Sequence, residues 1–169
     1  MSSIALSAAS SHDAEAIARL HAQSWRSAYR GMLSDTYLDE HVVADRLEFW
    51  TSRFANVAPE RRLVLRAASD GELLGFVCGF LSQTADDEAY IHFIGVTPED
   101  RGDGLGRALY ERFFEEARAN GRTFVRCVTS PVNQGSLAFH EAMGFQVERV
   151  VEDYDGPGED RVLLVKQLT

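Results

Sequence analysis

The spacing of apolar residues along this chain changes several times, and each change marks an element. Ile4-Ala-Leu6 reads as a short first strand. Ala14, Ile17, Ala18 and His21 then recur at helical spacing, so a helix begins near Asp13, with Ser10 or Ser11 as its cap and acids in its first turn. It continues or breaks toward Trp25, Tyr29 and Met32, and Gly31 and Ser34 punctuate it. A second helical region spans about residues 35–54 and carries Tyr37, Phe49 and Trp50. Residues 62–68 read as a strand, Ser69-Asp-Gly71 as a hairpin turn, and residues 72–81 as the partner strand.

The most informative pattern runs from Tyr90 to Gly106, after an acidic loop at Asp86-Asp87-Glu88. Residues 90–96 are almost all apolar or aromatic, which suits a strand buried on both faces. Gly95 inside that strand costs stability and marks a bulge or the close approach of another backbone. Thr97-Pro98 ends the strand, because proline has no N–H for the ladder. A glycine-rich stretch leads straight into an amphipathic helix lined by Leu105, Leu109, Phe113 and Phe114, which stops at Asn120-Gly121. Residues 123–129 form the next strand, parallel to 90–96 across a right-handed crossover helix. Ser130-Pro131 breaks it, and a short helix covers about residues 135–143 and ends at Gly144. Residues 145–151 and 161–168 are the last strands, joined through residues 153–158. With no linker, repeat or low-complexity segment, residues 1–169 read as a single domain.

Composition narrows the classes. Of 169 residues, 45% are hydrophobic and 25% charged, an ordinary globular profile. A net charge of −9 argues against non-specific nucleic-acid or anionic-membrane binding and weakly favours a cationic partner. Cys78 and Cys127 each sit in an apolar run, as buried thiols of a reducing compartment do. No Cys/His spacing resembles a zinc site, so no metal is expected. The longest apolar stretch, residues 73–81, is about half a membrane span. With no signal-peptide pattern, the expected location is cytoplasmic.

Gly102, Gly104 and Gly106 leave backbone N–H groups bare at a helix start, where the dipole favours an anion such as phosphate. A dinucleotide fingerprint would need a glycine where Arg107 stands, and a P-loop would need Gly-Lys-Ser/Thr. The residues present fill Arg/Gln-x-x-Gly-x-Gly with Arg101, Gly104 and Gly106. Together with Val96-Thr97-Pro98 before them, and Asn133, His140, Gly144 and Phe145 after, they give a chain that resembles the GNAT superfamily of N-acetyltransferases. The resemblance covers most of the chain, and its specific part is residues 90–145. It implies an α/β (α+β) fold: a central mixed sheet of six to seven strands with flanking helices, and two parallel central strands splayed for CoA. The implied cosubstrate is acetyl-CoA.

On that resemblance, Gly102, Asp103, Gly104, Leu105, Gly106 and Arg107 take the pyrophosphate on their backbone N–H groups. Arg101 pairs with phosphate or braces the loop, and the Asp103 carboxylate is unfavourable there unless it points to water. Ile94, Gly95 and Val96 offer a backbone edge to pantetheine, and an N–H near Ile94 faces the developing oxyanion. Many relatives carry a tyrosine acid seven residues after the asparagine matching Asn133, and here that place is His140. Its unperturbed pKa is about 6.5, against about 10 for tyrosine. A histidine can donate a hydrogen bond to sulfur in either charge state, but acts as a true acid only as imidazolium. Asn133 bonds pantetheine or a strand neighbour, or simply caps its helix.

His92 is the candidate base, acting through ordered water, with Tyr90 and Glu88 as alternatives. A glutamate that some relatives carry at the place of Val128 is absent. Trp25, Tyr29 and Tyr37 wall the acceptor pocket or belong to the core. The acidic runs 86–88 and 153–160 attract a cationic amine or are solvated loops. With no cysteine in the matched loop, the expected reaction is direct attack of a primary amine on the thioester through a tetrahedral intermediate. The expected acceptor is a small-molecule or peptide/protein amine, with no nucleic acid or membrane involved and a homodimer left open. The alternative is a non-catalytic acyl-CoA-binding sensor of the same fold. A nucleotide kinase is more distant.

Overall fold

Strands and helices follow one another in the order that the sequence predicts, most ends within about two residues, except that the second long helix begins at residue 42 and not near residue 35. The computed structural model describes residues 4–28, 31, 33–56, 62–82, 84–97, 104–129, 131, 133–154, 156–158 and 160–168. The elements are β1 (Ala5–Ala8), α1 (Ala14–Ala28), α2 (Val42–Asn56), β2 (Arg62–Ser69), β3 (Glu72–Leu81), β4 (Glu88–Val96), α3 (Leu105–Ala119), β5 (Phe124–Thr129), α4 (Gln134–Ala142), β6 (Gln146–Val151) and β7 (Arg161–Gln167). They give a seven-stranded mixed sheet in the order β1-β2-β3-β4-β5-β7-β6. Packing divides the chain into two compact units, Met1–Cys78 with Phe93–Phe113, and Gly79–His92 with Phe114–Thr169.

In the first unit the chain enters α1 through a 3-10 turn, Ser11–Asp13. The Ser10 N–H donates to Asp13 Oδ2 at 2.9 Å, which satisfies a donor at the helix entry. Asp13 also pairs with Arg66 of β2 at 2.6 Å. β1 runs antiparallel to β2, from Ala5↔Ala68 to Ala8↔Leu65. The predicted second helix is not uniform: a π-helical turn, Tyr37–His41, precedes α2. Ile17, Leu20, Trp50, Val64, Phe76 and Cys78 form the buried core, with Phe49, Leu73 and Phe93 packed against it. Each large side chain so buried contributes roughly 1.5–3 kcal/mol. Gly75 and Phe76 are successive residues of β3 and so face opposite sides of the sheet. Phe76 meets His21 and Trp50, at 5.6 and 5.4 Å between ring centroids. A Cβ on Gly75 would stand 3.1 Å from Leu109 Cδ1, so the start of α3 lies against the other face.

In the second unit β4 runs parallel to β5, from Glu88↔Phe124 to Ile91↔Cys127. β4 itself continues to Val96. Glu88 is therefore the first residue of a strand, not part of a loop. β5 pairs antiparallel with β7, and β7 with β6. Two helices end as their glycines predict. The Arg122 N–H reaches back to Ala117 O and the Gly121 N–H to Arg118 O, both at 2.9 Å, with Gly121 at φ +75. Phe145 N–H to His140 O (2.9 Å) and Gly144 N–H to Glu141 O (3.0 Å) close α4 in the same way, with Gly144 at φ +93.

A further expectation is corrected. β4 is not buried on both faces: Ala89, Ile91 and Gly95 are buried while His92 is exposed. An apolar run suits two buried faces, but aromatic rings here cover one another. Phe80 stacks on Tyr90 at 5.3 Å, and His92 lies edge-on to both. Cys78 and Cys127 are buried and not joined in a disulfide. Among the described residues no helix is long and apolar enough to cross a membrane.

Candidate active site

In the first unit, the end of β4 and the start of α3 carry most of the predicted carrier-binding residues. Thr97 N–H donates to Leu74 O at 2.9 Å, which fastens the end of β4 to β3. Gly95 is buried, and a Cβ there would stand 2.6 Å from Phe76 Cε1. Facing it, a Cβ on Gly75 would stand 3.0 Å from Gly95 O. The close approach expected at Gly95 is thus to a neighbouring side chain, Phe76. Ile94 and Val96 are half-buried beside it.

Gly104 holds φ +81, a region costly to other residues, with nothing within 4 Å of where a Cβ would be. The first helical bond of α3 runs from Ala108 N–H to Gly104 O at 3.0 Å. The N–H groups of Leu105, Gly106 and Arg107 precede it and have no partner within the helix. No acidic residue of the first turn offsets the helix dipole. Leu105 is buried and anchors the helix toward Gly75, its Cδ2 3.5 Å from a Cβ built there. Arg107 is exposed and pairs with Glu111 at 3.5 Å, so its guanidinium is held along the helix. Arg101, Gly102 and Asp103 lie outside the described residues, as do Tyr29, Met32 and Ser130. The described part suits an anionic carrier, because bare N–H groups at an unopposed helix start bind phosphate.

The same unit holds an aromatic cluster centred on His21. Its Nδ1 accepts from Trp50 Nε1–H at 3.1 Å, and rings of Trp25, Trp50, Phe76 and Phe93 surround it at 4.7 to 5.9 Å. Burial, with the nearby charge of Arg46, pushes its pKa down to about 3, so the ring is neutral. The Arg46 guanidinium lies over the rings of Trp25 and Phe49, 4.4 and 4.8 Å from their centroids. Sequence reading named Trp25 and missed Arg46. The available signal was its position three residues before Phe49 and four before Trp50 on one helix. Partial burial and a hydrogen bond with Asp45 raise the pKa of the Tyr37 phenol.

In the second unit, His92 presents an exposed ring beside Tyr90 and Phe80. Glu88, one alternative base, is paired with Arg126 at 3.1 Å, and Arg126 also reaches Glu148 at 3.3 Å. Asn133 caps α4, its side-chain oxygen accepting from Ser136 N–H at 3.0 Å. His140 is buried rather than on the helix surface. Its Nδ1 lies 2.7 Å from the Ser136 carbonyl oxygen. A carbonyl only accepts, so the proton of the neutral ring sits on Nδ1. Ser136 Oγ, 3.3 Å from that nitrogen, receives a hydrogen bond from Thr129 Oγ1 at 2.9 Å. Burial holds the His140 imidazole below its usual pKa, partly offset by the Ser136 carbonyl. Donation to a sulfur from Nε2 therefore requires the imidazolium.

Burial pushes the Cys127 thiol up to about 12, so it is not a thiolate nucleophile at neutral pH. The first acidic loop is tied by its backbone to the start of β5, and the second is bonded within itself. Asp87 O accepts from Thr123 and Phe124 N–H at 2.8 and 2.9 Å. Asp153 Oδ1 accepts from Gly158 N–H at 2.7 Å, and Asp160 Oδ1 from Asp153 N–H at 2.9 Å.

Comparison with known proteins identifies a family. Residues 16–145 match the model of the acetyltransferase (GNAT) family. An uncharacterised N-acetyltransferase of Methanocaldococcus jannaschii is 35% identical over 50% of this chain and 39% of its own length. The L-2,4-diaminobutyric acid acetyltransferase of Nocardia farcinica is 32% identical over 46% of this chain and 40% of its own. This chain thus spans about two fifths of the length of each of these relatives. In fold, it is similar to the PaiA N-acetyltransferase of Thermoplasma acidophilum, solved in complex with coenzyme A. The TM-score is 0.76 at 22% identity, covering 98% of this chain and 99% of that one. With the family model covering well over half of its residues, the chain belongs to the acetyltransferase (GNAT) family.

Proposed function

We propose that this protein moves the acetyl group of acetyl-CoA to a primary amine by direct attack on the thioester. The observation that carries the reading lies within one unit: a strand end pressed against β3 at Gly95, followed by a helix that starts in bare backbone at Gly104. In this reading Ile94, Gly95 and Val96 pair through their backbones with the pantetheine arm. Gly104, Leu105, Gly106 and Arg107 hold the diphosphate, together with Arg101, Gly102 and Asp103. An N–H near Ile94 meets the oxyanion as the carbonyl becomes tetrahedral. The coenzyme A bound to the T. acidophilum neighbour supports the choice of carrier. The N. farcinica relative, named for an amino-acid substrate, supports an amine acceptor.

The acceptor ammonium must lose a proton before nitrogen attacks, and His92, exposed on β4, is the proposed base through water. The C–S bond then breaks as the nitrogen releases its second proton to water, and the departing thiolate gains a proton. His140 is the proposed donor, acting as imidazolium from Nε2, because Nδ1 is committed to Ser136. Asn133 both caps α4 and offers its remaining polar atoms to pantetheine. The neutral Cys127 thiol supports transfer without a covalent acyl-enzyme. We read the two units as one domain, since β3, β4 and α3 each have residues in both.

Thermal melting with acetyl-CoA and free-thiol release across an amine panel test the proposal together. Ligand at about 100 times its Kd should add ~2.7 kcal/mol of stability. No stabilisation by acetyl-CoA refutes the carrier assignment. Stabilisation without thiol release from any amine leaves a carrier-binding module instead of an enzyme.

A further inference from the structure

The first unit holds a cation that the transfer chemistry leaves unused. Arg46 projects from α2 with its guanidinium between the rings of Trp25 and Phe49. Its Nε is buried and has no hydrogen-bond partner among the described residues. Aromatic faces attract a guanidinium through its plane, but they do not satisfy the N–H donors that lie in that plane. Those donors form a rigid fork suited to the two oxygens of a carboxylate. Among the described residues no carboxylate forms an ion pair with Arg46, and its neighbour Asp45 hydrogen-bonds Tyr37.

Position makes this cation more than a structural oddity. Phe49, under Arg46, is 5.7 Å from the ring of Phe93. Phe93 immediately precedes Ile94, Gly95 and Val96 on β4, the stretch assigned to the acetyl carrier. His21, which also touches Trp25 and Phe93, brings no competing charge, since its Nδ1 accepts from Trp50. The cluster therefore combines apolar walls, a guanidinium whose Nε has no partner among the described residues, and adjacency in sequence to the reacting strand.

We propose that Arg46 binds the carboxylate of the acceptor, so that the amine acetylated belongs to a free amino acid or an analogue with a free carboxylate. This rests on the acetyl-transfer reading above. Trp25 and Phe49 hold the guanidinium plane, and the fork receives the carboxylate edge-on, which leaves the amine end of the acceptor for β4.

The test uses matched acceptors: each amino acid, its carboxamide and its decarboxylated amine, with thiol release as readout. The acid is expected to be used with about tenfold or higher kcat/KM than its carboxamide, as for loss of a hydrogen bond to a charged group. Arg46→Lys keeps the charge without the fork, and Arg46→Gln removes both. Each is expected to keep the stabilisation by acetyl-CoA, to raise KM for the acid about tenfold or more, and to leave the decarboxylated amine within about twofold. Equal use of acid and carboxamide by the native protein overturns the proposal, as does an equal loss on all acceptors in folded variants. Should no acceptor turn over, calorimetry with the CoA-loaded protein decides, and failure of every acid to bind more tightly than its carboxamide overturns it. A protein that acetyl-CoA does not stabilise brings down the transfer reading itself, a result distinct from either.

Discussion

Gly95 of β4 and Phe76 of β3 face each other so closely that a Cβ on Gly95 would stand 2.6 Å from Phe76 Cε1. The glycine is there for the ring, not for an unusual backbone angle. Phe76 is fully buried between His21 and Trp50 and has little room to retreat. Gly95→Ala should therefore destabilise the protein by about 1–3 kcal/mol, the usual cost of overpacking. Urea unfolding checks this, and Phe76→Leu in the same background should restore part of the loss. An alanine variant as stable as the native protein would show that the ring yields freely.

Gly104 makes a different demand. Space around it is open, but φ is +81. Gly104→Ala should cost only ~1–2 kcal/mol of strain, and should raise KM for acetyl-CoA by disturbing the first turn of α3. An unchanged KM together with a lowered melting temperature would confine Gly104 to a structural role.

His21 gives stability a pH dependence whose sign is set by burial. Its folded pKa, about 3, lies below the unfolded value of 6.5. The unfolded chain then binds the extra proton, so the contribution is fully present above pH 6.5 and is lost as pH falls toward 3. Between pH 7 and pH 5 the loss should be ~2 kcal/mol from this group. Chemical denaturation at the two pH values measures it, and His21→Gln should flatten the difference.

Asn133→Ala removes the cap of α4 and should cost about 1 kcal/mol in a thermal or urea melt. If Asn133 also bonds pantetheine, KM for acetyl-CoA should rise as well. A stability change alone would mean that the cap is its whole function.

His140 has its neutral proton on Nδ1 and a pKa lowered by burial. Its acid form disappears as pH rises through that lowered pKa. His140→Phe should lower kcat most at acidic pH, with KM for acetyl-CoA little changed. A variant with native kcat across the pH range removes His140 from the mechanism.

Several features needed no structure to be read. Apolar periodicity predicts α1 and α3, because one face of each must be buried wherever it packs, and the stretch between Ser130-Pro131 and Gly144 predicts α4. Gly121 and Gly144 marked helix ends because a left-handed residue closes the last turn whatever surrounds it. The glycine spacing at residues 102–106, with Asn133 through Phe145, pointed to the family. Less was legible where neighbours decide. The residues before α2 read as ordinary helix, yet Tyr37–His41 form a π-turn. Residues 90–96 read as doubly buried, although His92 is exposed, because stacked rings and a packed core leave the same composition in a strand.

By itself the sequence determined the order of elements and the glycine start of α3 at Gly104, since a helix start acts locally, whereas the need for glycine at position 95 comes from Phe76 on another strand. Only the tertiary structure decided the state of the charged and polar side chains. His21 is neutral because four rings and Arg46 surround it, and His140 holds its proton on Nδ1 because the Ser136 carbonyl lies there. Arg46 stands out only once Trp25 of another helix lies against it. Desolvation and hydrogen bonding depend on what arrives from distant parts of the chain, and that information is not carried by any one residue's neighbours in sequence.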